Sequence, residues 1–555
     1  MEKKTLILIF VLAVILRIVA LDRNPISLFG DELDVGYHAY SLLKTGKDYT
    51  GHFLPTYIQS LNEARAPLQM YLTIPFVAFF GLNEWGVRLP PALFGSFSVI
   101  SLYFLVKITN NHPETSHFPN LTPLISAAAL AISPWHIQYS RAAFEVALLI
   151  FLLITATLLF FMGLKHFKIM LLSIILYGLS FYTYNTALVF TPLLVIYLLV
   201  KHQKELDLFS KTQKSISIGL SIALLLPISY HIFFGSASTR FSQNSIFTSQ
   251  ETLKKVNIQI NSHQLSKVYR AFHNRPLSWL RVFVSNYFIS FSPQFLFIDG
   301  DPVYRHSIHE MGQLYWIQLP LILLGLVHAI RRPKDHRLWL VWLVISPIPA
   351  SLTSDAAHAT RLFLTLPPLI FFSAIGVSLI IQTVKYRNLI IFTIAALTTL
   401  NFSVYQERYW LHYKEDSWRW WHQGFKEPLT YIKNHLNDYD RIFINNTYEP
   451  SLIRFLFWTA YDPEVFQKSF LSDEPRRNII EGFNGFSLNN LYFGTVQDKS
   501  NPADLISIND LYMVSQRDEV GGDWDWRKTP PSNTKVLLTT TNPSGEPIFY
   551  LISKR

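Results

Sequence analysis

Two adjacent carboxylates, Asp31 and Glu32 in the run Gly30-Asp31-Glu32, follow a hydrophobic stretch from Leu6 to Leu21. A carboxylate held beside a membrane surface is partly desolvated, which suits it to general-base chemistry. Fully solvated, the same pair is ordinary loop charge. The loop that carries the pair, 22–88, also holds Asp34, Glu63 and Arg65. Glu63-Ala64-Arg65-Ala66-Pro67 leads straight into an apolar segment, so Glu63 joins Asp31 and Glu32 as a candidate catalytic carboxylate.

Other polar clusters stand between apolar runs. Ser133-Pro134-Trp135-His136 continues to Arg141 and then to Phe144-Glu145. Arg141 and Glu145 are four apart and so share a helical face, a spacing fit to hold loops around a site. Asp355-Ala-Ala-His358-Ala-Thr-Arg361 places His358 and Arg361 at the start of a helix. A helix N-terminus beside an arginine is a natural phosphate site. A long loop, 235–313, carries Arg270, His273 and Arg275, then an aromatic stretch from Trp279 to Phe297. Asp299, Asp301, Arg305, His306, His309 and Glu310 follow, and His306 with His309 is the candidate metal pair. Trp418, Trp420 and Trp421 fit either sugar stacking or an interfacial belt. Asp438-Tyr-Asp440 and Asp523-Trp-Asp525 are read as incidental Asp-x-Asp spacings.

The elements that must position these groups are membrane helices. Half of the 555 residues are hydrophobic and only 15% are charged, and the mean hydropathy is +0.22. A soluble chain carries roughly 25% charge. About 11 spans are expected, near 5–21, 89–107, 121–134, 142–162, 168–184, 187–200, 215–234, 314–330, 337–353, 361–383 and 388–404. The first is read as an uncleaved helix. Basic connections at Lys3/Lys4, Lys165/Lys168, Lys201 to Lys214, Arg331 to Arg337 and Lys385/Arg387 fall on one side, with the N-terminus inside. That holds only if Pro67 to Phe80, short and interrupted by Pro75, is re-entrant or interfacial. The loops 22–88 and 235–313, the Tyr182-Thr183-Tyr184-Asn185 corner, Ser354 to Arg361 and everything after 405 then share the outer face.

The net charge of +10 lies mostly between spans, where it orients a membrane protein and does not form a nucleic-acid surface. There is no cysteine, so thiolate catalysis and cysteine-ligated metals are excluded. After 405 the chain turns polar, and short apolar runs alternate with a helical stretch. The expected fold is mostly α: a polytopic membrane domain over 1–405 and a small external C-terminal α/β domain over 406–555.

Gly30-Asp31-Glu32, Glu63 with Pro67, Gly81-Leu-Asn-Glu-Trp-Gly-Val-Arg88-Leu-Pro, Ser133 to Arg141, Gly178 to Pro192 and His358 to Arg361 occur in an order that resembles the integral-membrane GT-C glycosyltransferases. The likeness is greatest to the protein O-mannosyltransferase group and the bacterial aminoarabinose transferases acting on lipid A, and it covers about residues 1–405. It implies a sugar donor on a polyprenyl phosphate, Asp31 as base, and Arg361, His358, Arg275 or Arg65 at the donor phosphate. Arg65 stands one residue from where the aminoarabinose transferases carry a lysine after the acidic residue matched by Glu63. Arg141, Glu145 and Tyr184 support the site. The acceptor is a hydroxyl of a protein, lipid or glycan, reached by one inverting displacement. No cofactor is required, and a divalent metal is left open. The setting implied is a bacterial plasma membrane with the site and C-terminal domain extracytoplasmic. Competing readings are a lipid-linked oligosaccharide transferase, a lipid or polysaccharide flippase, and a non-catalytic envelope scaffold.

Overall fold

The structure is a computed structural model. It describes residues 2–61, 64–110, 120–235, 245–248, 254, 258, 274–497, 501–522 and 524–554. A helix lies in each of the stretches expected to span. Five are long and apolar enough to cross a membrane unaided: Glu84–Thr109, Glu145–Gly163, Lys211–Phe234, Ala359–Thr383 and the run Arg387–Ser417. Shorter apolar helices, among them Thr122–Ile132, Phe167–Ser180, Ala187–Lys201 and Gln318–Arg331, pack beside them. Leu68–Phe80 is a helix of 13 residues with Pro75 inside it. At 1.5 Å per residue it covers about two thirds of a ~30 Å hydrocarbon core.

Glycine sets the closest helix contact. A methyl group on Gly325 would meet the Phe372 carbonyl oxygen at 2.0 Å, and one on Gly376 would meet that of Leu321 at 2.1 Å. Helices Gln318–Arg331 and Leu366–Thr383 therefore touch backbone to backbone, as small residues allow in membrane bundles.

The C-terminal part forms a seven-stranded mixed sheet in the order 476–480, 483–488, 491–496, 441–445, 510–515, 547–554, 534–541. The central strand Arg441–Asn445 runs parallel to both neighbours. Its side chains alternate between two cores, as a strand's period of two requires. Ile442 and Ile444 join a core that contains Leu33, Tyr37 and Val87 of the helical part. Phe443 joins a second core on the far face, with Phe483, Tyr512 and Tyr550.

One helix is thus buried between the two parts. Helix Gly30–Thr45 packs on helix Ser451–Thr459. Gly36 is the contact point, where an added Cβ would lie 2.4 Å from the Phe457 ring. The Tyr37 hydroxyl donates to the Tyr461 carbonyl (2.9 Å), and Gln467 donates to the Asp48 carbonyl (2.8 Å). Lys426 reaches Glu84 at 2.7 Å. The helix that begins with Asp31-Glu32 is clamped along its length by the C-terminal sheet domain.

Candidate functional site

Asp31 and Glu32 occupy the first turn of helix Gly30–Thr45, where the exposed backbone N–H groups favour negative charge. Successive helical residues point about 100° apart, so the two carboxylates enter different surroundings.

Glu32 turns inward and is fully buried. Arg88 grips it in a fork, Nε to Oε1 at 2.8 Å and Nη2 to Oε2 at 2.9 Å. The backbone N–H of Ala143 donates to Oε1 at 3.1 Å and that of Phe29 to Oε2 at 3.3 Å. Arg88 in turn donates to the carbonyls of Leu21 and Pro25 (both 2.9 Å) and of Ser27. Both Glu32 oxygens are engaged. The pair ties the chain at 21–32 to the helix of Arg88 and to the turn at 143.

Asp31 turns outward, with its side chain 40% exposed. Arg65 Nη2 donates to Asp31 Oδ1 at 2.5 Å. The same guanidinium faces Asp34 (Nε–Oδ2 3.4 Å) and Glu145 (Nη1–Oε1 3.4 Å) and is itself almost fully buried. Asp34, one helical turn from Asp31, also accepts from Tyr49 (2.9 Å) and Ser60 (2.7 Å). Arg65 is delivered by a two-residue ribbon, Ile58 opposite Arg65 and Gln59 opposite Ala64. Leu68 N–H, donating to the Tyr182 carbonyl at 2.9 Å, fastens that ribbon to the 182–185 turn. One guanidinium thus faces three carboxylates.

Arg305, from the long loop, approaches the same cluster. Its guanidinium lies 4.4 Å from the Phe29 ring centre, and its Nε donates to the Trp420 carbonyl at 3.1 Å. It has no carboxylate ion pair among the described residues. Burial lowers its pKa from the usual arginine value, and the charges of Asp31 and Glu449 oppose the change. Beside it, Glu449 meets His422 (3.3 Å) and Arg454 (3.5 Å). Burial pulls the His422 imidazole down to about 4. Arg454 Nη2 lies 2.6 Å from His422 Nδ1.

His358 and Arg361 sit on the short helix Ala359–Leu362, close to this arginine. The His358 ring caps the helix by accepting from Thr360 N–H (3.2 Å). Burial holds His358 below the ordinary histidine value, with the Arg361 charge acting the same way. Arg361 is engaged by Asp355 and by Thr353 Oγ1 (2.8 Å). Asp301 accepts from Ala359 N–H at 2.8 Å, and burial raises its carboxyl.

Several sequence expectations need correction. Arg141 and Glu145 do not form a pair, because the helix breaks at 141–144. Arg141 is buried, donates to the carbonyls of Leu16 (3.0 Å), Ala20 (3.2 Å) and Asn24 (2.7 Å), and bonds the Tyr409 hydroxyl (2.8 Å). Glu145 goes to Arg65. Arg65 itself is surrounded by carboxylates, which leaves it poorly placed for a phosphate. Arg275 lies exposed at the start of helix Arg275–Ile289, with no ion pair among the described residues. His306 and His309 do not converge on one point. The His306 ring packs inward against the Tyr139 hydroxyl (3.0 Å) and the His358 ring (4.7 Å). His309 is exposed and faces Asp416 at 4.0 Å. Among the described residues no group of three or more potential metal ligands occurs. Tyr184 packs half-buried at the edge of the helical core. Glu63, Arg270, His273 and Asp523 lie outside the described residues.

Sequence reasoning weighted Asp34, Arg88, Arg305 and the His422–Glu449–Arg454 group too lightly. The three-residue spacing of Asp31 and Asp34 was a usable signal. The others find their partners at long range.

Residues 64–231 match the family described as dolichyl-phosphate-mannose-protein mannosyltransferase. Two Bacillus subtilis (strain 168) proteins, YkcB and YycA, whose names carry an inferred mannosyltransferase activity, are 25% identical over 43% of this chain and 26% over 41%. The alignment spans about a third of either relative (34% and 32%). This chain is similar to the GT-C membrane glycosyltransferases. Among solved structures, the ArnT of Cupriavidus metallidurans bound to undecaprenyl phosphate is 11% identical, with a TM-score of 0.51 over 98% of this chain and 97% of that one. An Archaeoglobus fulgidus oligosaccharyltransferase in complex with zinc and sulfate is 13% identical, with a TM-score of 0.51 over 82% and 61%. At these identities the structural likeness is one of fold: a GT-C bundle with a C-terminal domain, on which the Asp31 cluster is built.

Proposed function

We propose that this chain moves a sugar from a polyprenyl-phosphate donor to an acceptor hydroxyl by a single inverting displacement. Residues 1–405 form the membrane-embedded transferase, and 406–555 form an external domain that holds the catalytic helix. The observation that carries the reading is the unequal fate of the carboxylate pair. Glu32 is sealed by Arg88, while Asp31 stays partly exposed at the edge of the carboxylates around Arg65, beside the half-buried Arg305, which has no carboxylate ion pair among the described residues.

In this reading Asp31 takes the acceptor proton. The freed oxygen forms a bond to the anomeric carbon as the bond to phosphate breaks, and that electron pair leaves on the phosphate. Arg305 stabilises the departing charge, with His358 and Arg361 behind it. This is preorganised electrostatics at the atom where charge develops. Arg65 orients Asp31 and joins it to Asp34 and Glu145. A phosphate is already a good leaving group, so no second carboxylate need protonate it, in contrast to paired-carboxylate hydrolysis. Arg305, with Arg361 behind it, supplies the positive charge for an anionic lipid headgroup.

The site then lies on the extracytoplasmic face of a bacterial plasma membrane. The chain has no native cysteine, which makes orientation directly testable. A cysteine at exposed Glu474 should react with an impermeant maleimide on intact cells, and one at Lys204 only after permeabilisation. The reverse pattern overturns the orientation. Incubating membranes with a panel of radiolabelled undecaprenyl-phosphate sugars should give transfer from one or a few donors. Transfer from nucleotide sugars alone would overturn the donor class.

A further inference from the structure

The C-terminal domain has a cleft of about 490 Å³ that the transfer chemistry does not use. Its volume lies within the ~300–1,000 Å³ range of sites for small organic ligands. Trp418, Tyr448 and Trp524 stand along it. Trp524 is 66% exposed, an unfavourable position for a large apolar ring with nothing to cover it. Its backbone is nonetheless fixed, because Gln516 Nε2 donates to the Trp524 carbonyl at 3.0 Å and to that of Gly522 at 3.4 Å.

Arg419, Arg517, Arg527 and Lys528 also line the cleft, against the carboxylates of Asp525 and Glu546. Two of these cations are committed. Arg517 binds Asp518 at 2.6 Å and lies over the Tyr448 ring at 4.4 Å. Arg527 forks onto Asp525, Nε to Oδ1 and Nη2 to Oδ2, both at 2.9 Å. Arg419 and Lys528 have no ion pair among the described residues, where the cleft sets four cations against the carboxylates of Asp525 and Glu546. Flat aromatic faces with hydrogen-bonding arginines suit sugar rings that carry carboxylate or phosphate.

The cleft also adjoins the candidate site. Trp418 and Arg419 begin the turn that continues through Trp420, whose carbonyl receives Arg305, and Trp421, which packs on Phe29 at 5.4 Å. That turn also carries His422, the partner of Glu449. Tyr448, a wall of the cleft, immediately precedes Glu449. We infer that this cleft binds an anionic glycan chain, the acceptor, and leads its end over the 418–422 turn toward Asp31. The acceptor role rests on the function proposed above; the binding itself does not.

The test uses the purified full-length chain in detergent. Hexagalacturonate and a hyaluronan hexasaccharide are titrated by tryptophan fluorescence and calorimetry, with mannohexaose as the neutral control. At least one anionic oligosaccharide should bind about tenfold more tightly than mannohexaose. Trp524→Ala should weaken it about tenfold and Arg419→Gln several-fold, both without a change in thermal midpoint. If neither anionic chain binds, if mannohexaose binds equally, or if both variants bind as wild type does, the proposal is overturned. In the transfer assay the same variants should raise the acceptor KM while kcat and donor KM stay within twofold. Binding as expected with no transfer from any lipid-linked donor would sink the proposed function and leave the cleft's assignment standing.

Discussion

The surroundings of Glu32 and of Asp31 form a controlled contrast: neighbouring residues, the same functional group, opposite sides of one helical turn. Glu32 is enclosed by a forked arginine and two backbone N–H donors, with no capacity left for a substrate. Asp31 shares one buried guanidinium with two other carboxylates and remains partly open. The first arrangement is a fastening that holds three chain segments in register. The second is an adjustable charge cluster of the kind a reacting group needs. Identity in the sequence therefore says little about role; the number of donors already satisfied says more.

Breaking the fastening should have the largest effect on the fold. Arg88→Ala leaves a buried carboxylate without its partner, which costs about 3–5 kcal/mol. Much lower expression and a thermal midpoint reduced by many degrees in detergent are expected. A midpoint close to wild type would mean that Glu32 is held by something other than Arg88.

Breaking the open cluster should spare the fold and lower the rate. Arg305→Gln removes charge from the leaving-group side, and a drop in transfer of about 10²–10³-fold is expected, the scale for one electrostatic donor. The far-UV spectrum and midpoint should hold. Arg65→Lys keeps a charge but loses the planar fork that spans three carboxylates. About a tenfold lower kcat, with a smaller change in donor KM, sharpens the assignment of Arg65 to orientation. A donor KM raised alone would return it to the phosphate.

A further expected effect concerns pH. The buried His422 titrates at about 4 in the folded chain, against ~6.5 in an unfolded one. A depressed folded value means that its contribution is full above about pH 6.5 and is lost as pH falls through about 4. Melting curves of the wild type should drop across that window, and His422→Gln should flatten the slope there. An unchanged slope would show that the imidazole is not the titrating group.

What was legible in the sequence follows from how local each signal is. Apolar runs reveal helices because burial in a bilayer acts residue by residue, and helices occur at the expected places. The short run with Pro75 is a helix of 13 residues, Leu68–Phe80. The Arg141–Glu145 spacing misled because it assumes an unbroken helix, while the chain turns at 141–144. His306 and His309 looked like a ligand pair, but the turn sends one ring into the core and the other to the surface. Glu32 was misweighted because its partner stands 56 positions away, and Arg305 meets the Trp420 carbonyl 115 positions along the chain. No window of sequence contains such pairs. The anchoring of helix Gly30–Thr45 by strands and helices beyond 440 was invisible for the same reason.

Asp31→Asn and Glu32→Gln, prepared side by side, test the central contrast most directly through single-turnover transfer and thermal midpoint. Asp31→Asn should lose at least about 10³-fold in rate at an unchanged midpoint, and Glu32→Gln should lose its midpoint first. Near-normal turnover by a well-folded Asp31→Asn protein would contradict the account.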